Sequence, residues 1–150
     1  MDAIDIKILH CLGENARHKA STISQEINLS VSAVIERIHK LEDSGIIQKY
    51  TTILDQKRLG NDISAWMEVC LEHPKHYDTF VTSILAMPNI LACHYLTGDF
   101  DFMLQIVTSS SEALENIHRT IKCIDGVSAT KTHFVLKTLK ENAFLLPGEV

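Results

Sequence analysis

The sequence predicts an α+β chain in two parts: three helices, then four strands and two helices in the order β-α-β-β-α-β. Three observations carry this expectation. Apolar residues recur at helical spacing through residues 4–41. From residue 63 they alternate with polar ones along whole strands, and twice return to helical spacing. Between the two patterns lies Leu59-Gly60-Asn61-Asp62, a small polar stretch that reads as a hinge. The expected parts are residues 1–58 and 59–150.

In the first part, Ile4, Ile8, Leu9 and Leu12 fall at i, i+4, i+5 and i+8, one face of a helix that Gly13 and Asn15 loosen at its end. Thr22-Ile23-Ser24-Gln25 has the Thr-x-x-Gln form of a capping box. Ile23 and Ile27 then share one side of a short helix, and Asn28 tolerates the left-handed backbone of a helix end. Leu29 fills the turn, and Ser30 is a good N-cap for the next helix. Val31, Val34, Ile35, Ile38 and Leu41 make its apolar stripe, and Gly45 stops it. Ile46, Ile47, Tyr50, Ile53 and Leu54, with Lys49, Lys57 and Arg58 among them, suggest an extended segment or β-ribbon.

Two helices joined by about three residues, the second with short polar side chains on its first turn, meet the requirements of a helix-turn-helix. Ser30, Ser32 and Ala33 allow close approach to a DNA groove, and Arg37 and Lys40 can reach phosphates or guanine edges. Glu36 either reads a cytosine amino group or pairs with Arg37 or Lys40. The competing reading is a merely solvated helix face; the short turn before Ser30 favours double-stranded DNA as the partner.

In the second part, Ile63, Ala65, Met67, Val69 and Leu71 share one face of a strand over residues 63–72. Tyr77, Phe80, Val81, Ile84 and Leu85 follow helical spacing until Met87-Pro88-Asn89. Residues 90–97 and 100–107 form strands about a tight Gly98-Asp99 turn. Ser109–Ser111 with Glu112 starts a helix carrying Leu114, Ile117 and Ile121; Asp125-Gly126 breaks it, and residues 127–137 make the last strand. This is the ferredoxin-like split pattern. Two helices cover one sheet face. Trp66, Tyr95, Met103, Val107, Phe134 and Leu136 include residues expected on the other, an apolar face that predicts a dimer.

Gly98-Asp99-Phe100-Asp101 places two carboxylates around one aromatic at a strand turn, while Thr130 and Thr132 point to one side of the last strand. Carboxylates suit an ammonium group, and hydroxyls or backbone amides a carboxylate, so the set fits an amino-acid zwitterion. The plainer reading is that Asp-Gly turns and strand threonines are common.

The net charge is −5. Residues 1–58 hold eight basic and eight acidic side chains; residues 59–150 hold six and eleven. A DNA site must then be a local patch, because the overall field opposes it. The four cysteines are widely spaced, which reads as small, mostly buried thiols in a reducing compartment. His73 and His76 are separated by Pro74, and no neighbouring ligand completes a metal site, so neither metal nor cofactor is expected. No apolar run approaches the ~18 residues that cross a bilayer, and Met1–Asp5 does not begin a secretory signal, so a cytoplasmic protein with no membrane partner is expected.

The chain resembles the leucine-responsive regulatory protein (Lrp/AsnC) family of transcriptional regulators over nearly its whole length. Met1–Leu9 resembles the family's opening Leu-Asp-x-x-Asp-x-x-Ile-Leu, with Asn15-Ala16-Arg17 following in place. Leu29-Ser30, Ala33-Val34, Arg37-Ile38, Leu41-Glu42 and Gly45-Ile46-Ile47 resemble its recognition-helix segment. Thr97–Phe102 resembles its Gly-x-Tyr-Asp-Tyr turn, and Gly126-Val127 with Thr130 and Thr132 its final strand. Asn28 and Ser24 replace the usual Gly and Ala.

The resemblance implies an N-terminal winged helix-turn-helix DNA-binding domain and a ferredoxin-like domain for effector binding and oligomerisation. It implies homodimers, and octamers built as tetramers of dimers. It also implies an amino-acid effector between dimers near Gly98, Asp99, Asp101, Thr130 and Thr132. Two other classes of function compete. A small enzyme would use Asp99 and Asp101 as an acid-base pair, which leaves residues 1–58 unexplained. An effector-independent DNA-organising oligomer should be basic, which this chain is not.

Overall fold

The computed structural model describes residues 1–147. It contains α1 (Ala3–Glu14), α2 (Ala20–Ile27), α3 (Val31–Asp43), β1 (Ile63–Leu71), α4 (Tyr77–Leu85), β2 (Ile90–Tyr95), β3 (Phe102–Thr108), α5 (Ser111–Lys122) and β4 (Val127–Phe134), with a 3-10 turn at Pro74–His76 before α4. The chain forms two compact units, Met1–Ile53 with Lys140 onward, and Leu54–Leu139. The first unit thus ends a few residues before the expected division at residue 58, and the described residues 140–147 belong to it as well. There Phe144 lies so close to Gly13 that a Cβ on Gly13 would run into its ring. Among the described residues no helix is long and apolar enough to cross a membrane.

In the first unit, Asp2 caps α1: its carboxylate accepts from the N–H groups of Ile4 and Asp5, and Asp5 returns the bond to the Asp2 N–H. These bonds satisfy donors that the helix cannot satisfy itself. Helix α2 starts one turn earlier than expected. Its N-cap is Lys19, with no side-chain hydrogen bond, and Thr22 lies inside the first turn. Asn28 does take the left-handed conformation, at φ 54° and ψ 50°. Ser30 does cap α3, accepting from Ala33 N–H, and Gly45 follows the helix with φ 74°.

Ile8, Cys11, Ile23, Val34 and Leu41 form the core of this unit. The expected α3 stripe is narrower than the sequence pattern. Val34 and Leu41 are buried, but Val31 and Ile35 are exposed. Ile35 stands one residue, about 100°, round the helix from Val34, beyond the face that α1 and α2 cover. Residues 48–55 form no strand, so the expected β-ribbon is absent: Tyr50, Ile53 and Leu54 are exposed, and no described strand pairs with this segment.

The sheet of the second unit has the order β2-β3-β1-β4, and every neighbouring pair is antiparallel. This is the ferredoxin-like arrangement that the element order implied. Ala65, Met67 and Val69 of β1 and Phe102, Leu104 and Ile106 of β3 face the helices, packing with Phe80, Ile84, Ile117 and Ile121. Ser110 caps α5 through Ala113 N–H.

The opposite face is not the apolar surface expected. Trp66, Met103 and Val107 do lie on it, but the strand registers interleave them with Glu68, His94, Gln105, Lys131 and His133. Trp66 stacks on His94 at 6.5 Å, and His133 Nε2 lies 3.4 Å from Glu68. Tyr95 and Phe134 belong to the other face, because they pair with Phe102 and Ala65, whose side chains are in the core. Leu136 lies past the end of β4 and is exposed.

The thiols also differ from expectation. Only Cys11 is buried; Cys70 and Cys93 are half-buried and Cys123 is exposed. Burial, with the Glu26 carboxylate beside it, pushes the Cys11 thiol up to about 11. It is thus an inert core residue.

Gly126 precedes β4 with φ 86°, and a Cβ there would run into the His76 ring. His76 is held at 3.2 Å from Asp125. Gly126→Ala is expected to lower stability by about 1–3 kcal/mol for the backbone alone, read as a shifted urea midpoint with unchanged slope. Adding His76→Ala should recover part of any further loss, since the two residues share one contact.

Candidate functional site

Helix α3 presents its polar face through local bonds. Ser30 Oγ accepts from Ala33 N–H at 3.2 Å and lies 3.2 Å from Ser32 Oγ. Ser30 is therefore committed to the cap, while Ser32 is exposed beside it. One turn on, Lys40 Nζ bonds Glu36 Oε1 at 2.7 Å, and both side chains are exposed. That pairing, one of the two roles open to Glu36, holds its carboxyl below the usual carboxylate range, through the hydrogen bond first and charge second.

Arg37 is placed differently from the sequence expectation. Its Nη1 donates to Asp2 Oδ2 at 2.8 Å and to Asp5 Oδ1 at 2.7 Å. These are the two carboxylates of the α1 capping box, so the guanidinium ties α3 to the first turn of α1 instead of extending toward a groove. The Asp2 carboxyl is lowered, by the Asp5 backbone N–H first and the Arg37 side chain next. The outward surface of α3 is then Ser32, Ile35, Glu36 and His39, flanked by Val31 and Lys40, all exposed. Ile35, expected in the apolar stripe, is instead a surface residue. The helical rotation from buried Val34 was the available signal.

In the second unit, the β2–β3 connection runs from Leu96 to Asp101, longer than a two-residue turn. Leu96 N–H donates to Asp101 O at 2.8 Å and closes it. Gly98 has φ 127°, a conformation that a side chain would strain. The Cys70 thiol donates to the Asp99 carbonyl at 3.0 Å.

The two aspartates separate here. Asp99 is exposed at the tip, whereas Asp101 is half-buried against β1. Asp101 N–H donates to Val69 O at 3.0 Å, and Asp101 Oδ2 accepts from Leu71 N–H at 2.7 Å. Its Oδ1 has no hydrogen bond among the described residues, and the residue lines a recess with Leu71, Pro74, Tyr77, Tyr95 and Phe102.

Thr130 and Thr132 lie on the other side of β1, opposite Val69 and Met67. Asp101 and Thr130 thus approach Val69 from its two edges. Thr130 Oγ1 is 3.1 Å from His118 Nε2 on α5, a partner that sequence reading missed because its spacing from β4 carries no motif. Gly98, Asp99, Thr130 and Thr132 do not line the recess.

Comparison with known proteins gives this arrangement its context. Residues 1–42 match the model of the AsnC-type helix-turn-helix domain, and residues 64–144 that of the Lrp/AsnC ligand binding domain. The chain is 37% identical over 145 residues to the HTH-type transcriptional regulator FL11 of Pyrococcus horikoshii, covering 97% of this chain and 95% of that one. It is 32% identical to the leucine-responsive regulatory protein of Haemophilus influenzae, covering 97% and 90%. A crystal structure of a transcriptional regulator from Neisseria meningitidis in complex with L-Met superposes with a TM-score of 0.92 at 31% identity, over 97% of this chain and 96% of the other. The reading as a small enzyme gives way, since relatives matched along almost the full chain are transcriptional regulators. With both domain models matched in order and full-length relatives above 30% identity, the chain belongs to the Lrp/AsnC family of transcriptional regulators.

Proposed function

We propose that this regulator binds double-stranded DNA as a homodimer through α3, and that an amino acid bound beside Asp101 adjusts the assembly and hence the DNA contact. The observation that carries the effector half is the Asp101 carboxylate. One oxygen is fixed by Leu71 N–H, the other is free of partners among the described residues, and the residue borders an otherwise uncharged recess. A carboxylate held in this way accepts an ammonium through a charge-assisted bond. Gly98 and Asp99 complete the loop, while Thr130 and Thr132 stand across β1, outside this recess. The relative from Neisseria meningitidis was crystallised with L-Met, which supports an amino acid as the ligand class.

On the DNA side, Ser30, Ser32, Ala33, Glu36 and Lys40 are assigned to the interface, and Arg37 to holding α3 against α1. A two-fold dimer, formed through the uncovered sheet face, presents two such helices to half-sites ~34–36 Å apart or a multiple of that. Four dimers forming an octamer would bring several pairs to one DNA. An effector that favours one assembly shifts the population by its difference in affinity, and one without such a difference shifts nothing.

Three outcomes follow. Arg37→Ala should weaken binding by a similar factor on operator and unrelated DNA, with a lower melting temperature, because it loosens the reading helix. Lys40→Ala should lower the salt slope of binding by about one if Lys40 leaves Glu36 for a phosphate. A shift assay over a salt series separates them, and loss of discrimination at a single base on Arg37→Ala would return Arg37 to direct base reading.

The second concerns acid. Asp2 is lowered in the folded chain, so its contribution is complete above its unfolded value of ~3.9 and is lost as pH falls through the depressed one. Asp2→Asn retains a capping oxygen but loses the charge. It should therefore be less stable than the parent at neutral pH, with the gap closing below about pH 4. A gap that persists unchanged into stronger acid would show that the Asp2 charge, held by the Asp5 N–H and Arg37, contributes nothing to stability.

The third concerns the effector. Thermal shift over the twenty amino acids should find at least one stabilising ligand, since ligand binding to the folded state raises stability with occupancy. Asp101→Ala should abolish that shift while remaining folded. No shift with any amino acid at millimolar concentration would remove the amino-acid reading.

A further inference from the structure

The first unit includes a part of the chain that belongs to none of its helices. The chain leaves this unit after Ile53 and re-enters it at Lys140. Residues 140–147 form neither helix nor strand. Their apolar run Phe144-Leu145-Leu146-Pro147 is unevenly covered: Leu145 is 71% exposed and Leu146 only 7%. Phe144 is half-exposed, and the tip of its ring sits over Gly13 of α1. Residues two apart fall on one side of an extended chain, which suits Phe144 and Leu146 as the inward pair. Pro147 favours extended backbone at Leu146, and so lowers the cost of ordering it.

Gly13 is the counterpart of that ring. It lies inside α1, where glycine is less favourable than alanine. Its backbone is not left-handed, unlike that of Gly45, Gly60, Gly98 and Gly126, so conformation does not require a glycine there. The nearest atoms that a Cβ at this position would meet all belong to the Phe144 ring. The missing side chain therefore serves the contact with Phe144. Helix α1 is thereby engaged near both ends. At its first turn Asp2 and Asp5 accept from Arg37 of α3, and at its last turn Gly13 seats Phe144. Between them Ile8 and Cys11 are buried with Val34 and Leu41 of α3. A short rigid helix held in this way passes a tilt at one end to the other.

We propose that residues 140–147 are a strap that seats Phe144 on Gly13, fixes α1, and through the Arg37 bridge sets the position of α3 on DNA. Gly13 and Phe144 are then positioning residues for DNA binding, although neither belongs to α3. The inference rests on the reading of α3 as the DNA-binding helix and adds the part of the chain that holds it in place. The strap follows β4 in the chain, so the DNA-binding unit is joined to the second unit by two covalent connections, one after Ile53 and one before Lys140.

The test is a mutant cycle on the full chain: Phe144→Ala, Phe144→Met, Gly13→Ala, Gly13→Ala with Phe144→Ala, and Phe144→Ala with Arg37→Ala. Each is read by thermal melting and by a shift assay, run well below the melting temperature, on a duplex that the parent selects from random sequence. Phe144→Ala should weaken the duplex by about threefold to tenfold, the scale for a residue that acts on a site without touching the ligand. Phe144→Met should restore most of that loss, since a long flexible apolar chain fills the same seat. Gly13→Ala should weaken binding in the parent, because the new methyl group displaces the ring. In the Phe144→Ala background the same change should raise the melting temperature, because only the helix propensity of alanine is left to act. With Arg37 already replaced, Phe144→Ala should add little further loss, because the two act in series. Affinity unmoved by Phe144→Ala, even with a lower melting temperature, would overturn the positioning role. Gly13→Ala that stabilises the chain equally with and without Phe144 would overturn the seating of the ring. Losses that add fully with Arg37→Ala would overturn the route through α1. A parent that selects no duplex would overturn the DNA-binding reading itself and this inference with it.

Discussion

The second unit hangs on β1. It is a central strand, with β3 on one side and β4 on the other. Its inward residues Ala65, Met67 and Val69 are completely buried under α4 and α5. Small and medium apolar side chains on alternate positions let both helices approach one face, which is where the hydrophobic stabilisation of this unit arises. The same strand supplies the scaffold of the proposed effector site. Val69 O and Leu71 N–H hold Asp101 from one edge, and Thr130 is paired to Val69 on the other. A carboxylate on a six-residue loop would ordinarily be mobile. Two hydrogen bonds to a buried strand fix it in place, the kind of support from a rigid element that a binding group requires.

The first unit solves a related problem with charge. Three short helices enclose a small core around Ile8, Cys11, Ile23, Val34 and Leu41, so the relation of α3 to α1 gains from more than packing. Arg37 supplies it by bridging the two carboxylates that also cap α1. The bonds are partly exposed, and each alone would contribute little. Their value is geometric: one guanidinium nitrogen shared between two carboxylates of α1 fixes where α3 lies against it. On the proposed DNA-reading helix, Arg37 is thus engaged by carboxylates of its own chain. The outward face of α3 is left to a serine, an isoleucine, a histidine and a Glu36–Lys40 pair. A surface so nearly neutral is consistent with a chain of net charge −5 whose selectivity does not come from general attraction to phosphate.

Much of this was legible beforehand, because the informative patterns are local. Helical and strand periodicity, the Ser30 and Ser110 caps, left-handed Asn28, and the position of every strand follow from short stretches of residues acting through backbone geometry. So does the order β-α-β-β-α-β, from which the strand order follows once connections are short and right-handed. Gly98 could be identified as a strained turn position, and the family motifs pointed to Asp101 within three residues of it.

What the sequence could not contain is which long-range partners each side chain meets. Arg37 and Asp2 are 35 residues apart, and Leu71 and Asp101 are 30 apart. No periodicity couples such positions, and only the packed chain decides that one arginine is an anchor and one aspartate a half-occupied acceptor. Strand register likewise decided that Tyr95 and Phe134 sit on the helix side and that the uncovered face alternates apolar with charged residues. A shift of one residue exchanges the two faces, and composition is blind to it. The sequence by itself determined the elements, their order and the family. The tertiary structure alone decided which groups remain free to bind, because freedom from a partner is a property of the whole fold and not of any segment in it.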